Sequence, residues 1–172
     1  MNFQFYVEKL KNSSQFKEFI QENKDAFPAS GFFIMEFSNS KHPDNKQHFD
    51  YYIPSKNKMF SFKLEDDCAM VPVEIVDSTA FKPISLDHNF NFNEVANIVA
   101  KEMKSRNVDK KIQKILLSLQ HKNGKDYLVG TIFISNFGLI KINIDLKDMS
   151  VIHFKKKSFF DMLKITGKGG SQ

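Results

Sequence analysis

The 172-residue chain has one cysteine, Cys68, so no disulfide can form within it. Cys68 reads as a small hydrophobe in a strand rather than a reactive thiol. Arginine is as scarce, with Arg106 alone. The guanidinium forks that grip phosphates and guanine edges are thus nearly missing, which argues against specific nucleic-acid recognition. No apolar run approaches the roughly 20 residues that cross a bilayer as a helix. The first ten residues interrupt their apolar character at Gln4, Glu8 and Lys9, with no basic stretch leading into an apolar one. No signal peptide is therefore expected, and a cytoplasmic setting is. There is no Gly-x-Ser-x-Gly, no Gly-rich phosphate loop and no Cys-x-x-Cys, so neither catalysis nor a cofactor is expected.

Phenylalanine carries the aromatic content, at 19 residues with tryptophan absent, and hydrophobic residues reach 41%, enough for a core. The net charge of +5 rests on lysine, and Lys, Asn, Ile and Phe are abundant together, as an AT-rich genome would dictate. The charge is uneven. Residues 1–86 hold ten lysines against twelve carboxylates, and residues 87–172 hold fifteen Lys and Arg against eight.

The chain is organised around four strand-like runs, Ile112–His121, Asp126–Ser135, Gly138–Asp145 and Ser150–Lys156. Asn123-Gly124 separates the first two, and this dipeptide tolerates positive φ at both central turn positions, a strong hairpin signal. Ile140, Ile142 and Ile144 alternate with Lys141, Asn143 and Asp145, a period of two that buries one face and wets the other. Ile112, Ile115, Leu116 and Leu119 also fit helical spacing. The first half favours strand, because the run at a matching place there, Phe32–Phe37, lies too close to Pro28 for a helix.

That half begins with a short helix over residues 2–11, with Phe5, Val7 and Leu10 as buried positions. Ser13 or Ser14 caps a second helix carrying Phe16, Phe19, Ile20 and Phe27 on one face, which Pro28 ends. Strands follow at 31–37, 48–53, 59–64 and 69–76, the last at an edge because Pro72 cannot donate to a ladder. Residues 77–90 read as a connector. Asn91 and Glu94 form a capping box for a helix whose stripe is Phe92, Val95, Ile98, Val99 and Met103. Each half thus runs helix, then four strands. The expected fold is α+β, with two tandem helix-plus-four-stranded antiparallel sheet units of PepSY- or cystatin-like type over 1–80 and 88–166. A short C-terminal helix from Ser158 and a disordered tail, 167–172, complete it.

The helix Glu94–Glu102, the Asn123-Gly124 hairpin and the run Gly138–Asp148 resemble a PepSY-type domain. Asp145 stands where the family's Asp-x-x-Thr-Gly turn begins, and the Thr-Gly itself is missing. The resemblance implies a helix on an antiparallel sheet and a non-catalytic role as an interaction module, propeptide or inhibitor.

Several polar groups invite a functional reading. His42, Asp44, His48 and Asp50 carry metal-ligand chemistry without a metal-site spacing, and a solvated loop is preferred, so no metal is expected. Asp66-Asp67 and Asp145/Asp148 are paired carboxylates, but they sit in turns where Asp bonds the backbone. His88, His121 and His153 read as isolated. Lys101, Lys104, Arg106, Lys110, Lys111 and Lys114 follow the second-half helix and its exit, and a solvated face explains them. Lys155, Lys156 and Lys157 beside Phe159 and Phe160 are the sharpest candidate contact for a partner or an anionic membrane surface. The expected function is a non-enzymatic binding or interaction module, with another protein as partner. The alternatives are a carrier of a small apolar ligand in a Phe-lined cavity and a peripheral membrane protein.

Overall fold

The computed structural model describes residues 2–38, 41, 43–75 and 81–158. Two short helices open the chain, each set by its cap. The Asn2 side chain accepts from the Phe5 N–H and starts α1, Phe3–Asn12. The Ser13 hydroxyl accepts from the Phe16 N–H and starts α2, Ser14–Glu22. In α1 the buried stripe is Phe3, Tyr6, Val7 and Leu10, while Phe5, expected inside, is 47% exposed. α2 buries Phe16 and Phe19 and stops earlier than expected. Asn23 closes it, giving both its backbone N–H and its side-chain amide to the Phe19 carbonyl. Phe27 therefore leaves the helix and begins β1, Phe27–Glu36. Pro28 lies inside that strand, next to a register shift between Pro28 and Ser30 where a missing N–H is tolerated.

Next come β2, Lys46–Ile53, and β3, Lys58–Lys63, joined by a 3₁₀ turn at Pro54–Lys56, and then β4, Ala69–Val73. The capping box at Asn91 and Glu94 starts α3, Phe92–Ser105. β5, Ile112–Lys122, and β6, Lys125–Ile134, meet at Asn123 and Gly124, both at positive φ as a tight hairpin turn demands. β7, Gly138–Asp145, and β8, Ser150–Ser158, complete the meander. The expected C-terminal helix and tail lie outside the described residues.

Among the described residues the eight strands form one antiparallel sheet in the order β4-β3-β2-β1-β5-β6-β7-β8. Two tandem helix-plus-four-strand units are therefore not what the chain builds. β1 and β5 pair from Gly31↔Leu119 to Glu36↔Lys114, so the edges that two separate sheets would leave bare satisfy each other. Pro72 lies, as expected, on edge strand β4.

The three helices share one core with one face of this sheet. Phe3 joins the two halves. Its ring stacks on Phe90 at 4.9 Å and meets Phe33 and Phe49 edge-on at 6.0 and 5.6 Å. Its N–H donates to the Phe90 carbonyl at 2.9 Å. Phe16 and Phe19 pack edge-on against Phe62 and Tyr51. The phenylalanines thus fill the core against one another, each edge-on pair adding roughly 0.5–1.5 kcal/mol beyond area burial. At Gly130 a Cβ would meet Ile142 Cγ2 of the paired strand β7 at 2.5 Å, so glycine leaves room for that core side chain.

Phe3 is fully buried. Phe3→Ala should therefore lower the free energy of unfolding by about 3–5 kcal/mol, read from a denaturant titration. A loss below about 1 kcal/mol would contradict the packing described.

Candidate functional site

The end of α3 is shaped by a helix stop. Asn107 takes a left-handed φ of 56° and the Val108 N–H reaches back to the Met103 carbonyl at 2.9 Å. This is the Schellman pattern, in which the residue after the left-handed one packs on the last turn. Val108 and Met103 are both buried. The chain then turns into β5, pinned by the Ser135 N–H donating to the Lys111 carbonyl at 2.9 Å. Between the last helical turn and this entry lies a groove of about 740 Å³. Ala100, Met103, Val108 and Ile112 give it apolar walls, and Lys104, Lys110 and Lys111 stand round it with Asn107 and Asp109. Half of the expected basic cluster is thus gathered at one place. Of the others, Arg106 pairs with Glu102 at 2.7 Å and lies over the Phe154 ring, and Lys114 pairs with Glu36 at 2.8 Å.

The sheet face away from the helices carries a second arrangement. Phe32, Ile34, Leu116, Val129 and Phe133 alternate with core residues on β1, β5 and β6, and none joins the helix-side core. Register sets them side by side. One rung runs Ile34, Leu116, Thr131, Lys141, Lys155 and another Phe32, Ser118, Val129, Asn143, His153. On the β2 side the same rungs continue to Lys46 and to His48 and Lys63. An apolar strip is thus bordered by Lys141 and Lys155 on one side, and on the other by Lys46, which pairs with Asp44, and by Lys63 beside His48 and Asp50. Lys141 and Lys155 are direct cross-strand neighbours, an unfavourable like-charge pair.

The third arrangement was not foreseen. Asp126 binds two histidines 33 residues apart in sequence, His88 and His121. His88 Nε2 lies 2.8 Å from Oδ2, His121 Nδ1 lies 2.6 Å from Oδ1, and the Ser85 N–H donates to Oδ2 at 2.7 Å. An ionised carboxylate only accepts, so each facing ring nitrogen carries its hydrogen. Burial alone would raise the Asp126 pKa. The Ser85 N–H and the two imidazoles outweigh it and hold the carboxyl below the usual carboxylate range. The cluster clamps residues 85–88 onto the β5–β6 hairpin. Neither His88 nor His121 is isolated as expected, and the signal that could have found one is the two-residue turn at Asn123-Gly124, which places His121 opposite Asp126. His88 arrives from the irregular connector, where no periodicity indicates position.

The remaining candidates disperse. Lys155, Lys156 and Lys157 lie on β8, and Phe159 and Phe160 fall outside the described residues. His42 also falls outside them. Asp44 pairs with Lys46 at 3.1 Å, His48 with Glu65 at 2.7 Å, and Asp50 accepts from the Ser30 hydroxyl at 2.6 Å. Among the described residues no three His, Cys, Asp or Glu side chains gather as a metal site. Asp145 and Asp148 bond the Lys147 and Ser150 N–H groups, as turn carboxylates do. Cys68 precedes β4, and burial pushes its thiol up against the opposing effects of Ser13 and Lys9, which disfavours the reactive thiolate.

No family model matches the chain, and no curated protein matches it in sequence. Among solved structures it is similar to the crystal structure of "a putative lipoprotein" from Clostridium difficile 630, with a TM-score of 0.56. The match covers 83% of this chain and 90% of that one at 15% identity, so the likeness is one of fold. Among the described residues no helix is long and apolar enough to cross a membrane.

The Asp126 clamp has a defined pH signature. A carboxyl whose pKa is lower folded than unfolded stabilises the fold above its unfolded value, about 3.9, and that stability is lost as pH falls through the folded value. Asp126→Asn should remove this part of the acid dependence, measured as unfolding free energy between about pH 5 and pH 2, and Asp126→Ala should cost about 1–3 kcal/mol at neutral pH. Identical acid profiles for wild type and Asp126→Asn would contradict the clamp.

Proposed function

We propose that the protein is a non-enzymatic interaction module that docks an acidic amphipathic helix of a partner protein on the face of its sheet away from α1, α2 and α3. The supporting observation is the apolar strip of Phe32, Ile34, Leu116, Val129 and Phe133 with lysines along both borders. Strands lie about 4.8 Å apart, so β1, β5 and β6 present a strip about 10 Å wide, which suits one helix. The chain's own helices already use the opposite face in this way. A helix with an apolar stripe flanked by Asp and Glu would set its carboxylates beside Lys63, Lys141 and Lys155. It would also relieve the repulsion between Lys141 and Lys155.

A designed helical peptide with a leucine stripe and flanking glutamates tests this, beside a twin carrying lysines instead. In amide chemical-shift mapping, the acidic peptide should perturb β1, β5 and β6, and the basic twin should not. Lys141→Glu with Lys155→Glu should weaken the acidic peptide at least about tenfold. Equal binding of the two peptides, or shifts confined to the helical side, would overturn the proposal.

A further inference from the structure

The groove at the end of α3 lies on the helical side, away from the docking strip, and carries an inference of its own. We infer that it binds a single-chain amphiphile with an anionic head, its apolar chain against Met103, Val108 and Ile112 and its head among Lys104, Lys110 and Lys111.

Three observations lead there. The volume, about 740 Å³, falls in the range of small-molecule sites, and the walls combine an apolar surface with few polar groups, as such sites do. The charge is one-sided, with three lysines against Asp109 alone round the groove. Among the described residues none of the three lysines has a carboxylate within ion-pair distance, although Lys46, Lys114 and Lys125 elsewhere do. Lys104 has a local reason to be there, since a cation at a helix C-terminus offsets the partial negative charge of the last carbonyls. Lys110 and Lys111 stand beyond the helix and gain nothing from it. Finally, the walls are preformed. The Schellman stop fixes Val108 on Met103 and the Ser135 bond fixes Lys111, so a ligand meets an ordered site and little is lost in arranging it.

The ligand class follows from the two surfaces together. A purely apolar molecule would leave three ammonium groups beside it without counter-charge, and a free phosphate would leave the apolar wall wet. A fatty-acid-type carboxylate or an alkyl phosphate satisfies both. The chain's own residues 159–172 are a poor substitute, because Lys164 and Lys168 outnumber Asp161 and would add positive charge to a basic rim.

The test titrates full-length protein with dodecanoate, dodecyl phosphate and dodecanol below their aggregation concentrations, by calorimetry and amide shift mapping. The two anions should bind at residues 100–112, and dodecanol should bind at least about tenfold more weakly. Ala100→Trp places a bulky ring in the groove from an exposed helix position and should weaken all three. The double variant Lys110→Glu, Lys111→Glu should weaken only the anions. Unfolding curves of both variants should match wild type, as all three positions are exposed and both lysines lie beyond the helix end. Dodecanol binding as tightly as dodecanoate would overturn the anionic head, and perturbations elsewhere, or no binding at all, would overturn the site. None of these outcomes bears on the docking strip, whose peptide test reads other residues.

Discussion

The pairing of β1 with β5 is the interaction on which the rest of the molecule depends. Strand edges are expensive to leave bare in an antiparallel meander, because each exposes a row of unsatisfied amides and carbonyls. The chain contains two such meanders, and the inner edge of each closes the other through six residue pairs, Gly31–Glu36 with Lys114–Leu119. The consequence is a single wide layer with one core. Phe33 on β1 contacts Phe3 of α1 and Phe92 of α3, so one residue in the joint touches a helix from each half of the sequence.

Among the described residues the helices lie on one side of the layer, which leaves the second face to other uses. The buried phenylalanines lie on the helical side, where their rings interlock, and the other face carries Phe32 and Phe133 among Ile34, Leu116, Val129 and lysines. Both proposed binding surfaces come from this asymmetry. The strip exists because the alternation of β1, β5 and β6 carries apolar residues on both faces. The groove exists because α3 ends before it covers the start of β5.

How much of this was legible depended on whether the signal was local. The caps at Ser13 and Asn91, the Asn-Gly hairpin and the edge position of Pro72 were all readable, because each is decided within a few residues. The end of α2 was misplaced because Phe27 fits helical spacing equally well, and the Asn23 side chain that terminates the helix gives no periodic signal. The union of the two meanders was hidden, since pairing between strands some eighty residues apart leaves no mark in either one. The sites divide in the same way. The basic cluster near α3 was visible as composition, but its convergence on a groove needed the Schellman stop. His121 read as isolated although the turn sets it opposite Asp126, and nothing local places His88.

Native-state hydrogen exchange tests the central claim most directly. If the sheet is one cooperative layer, the amides of Gly31–Glu36 and Lys114–Leu119 that bond across the joint exchange only through global unfolding. Their protection then equals that of the most protected amides in β2 and β6. If the joint amides instead exchange through a lower-energy opening while β2 and β6 stay protected, the two meanders are separable, and the account of a single layer is wrong.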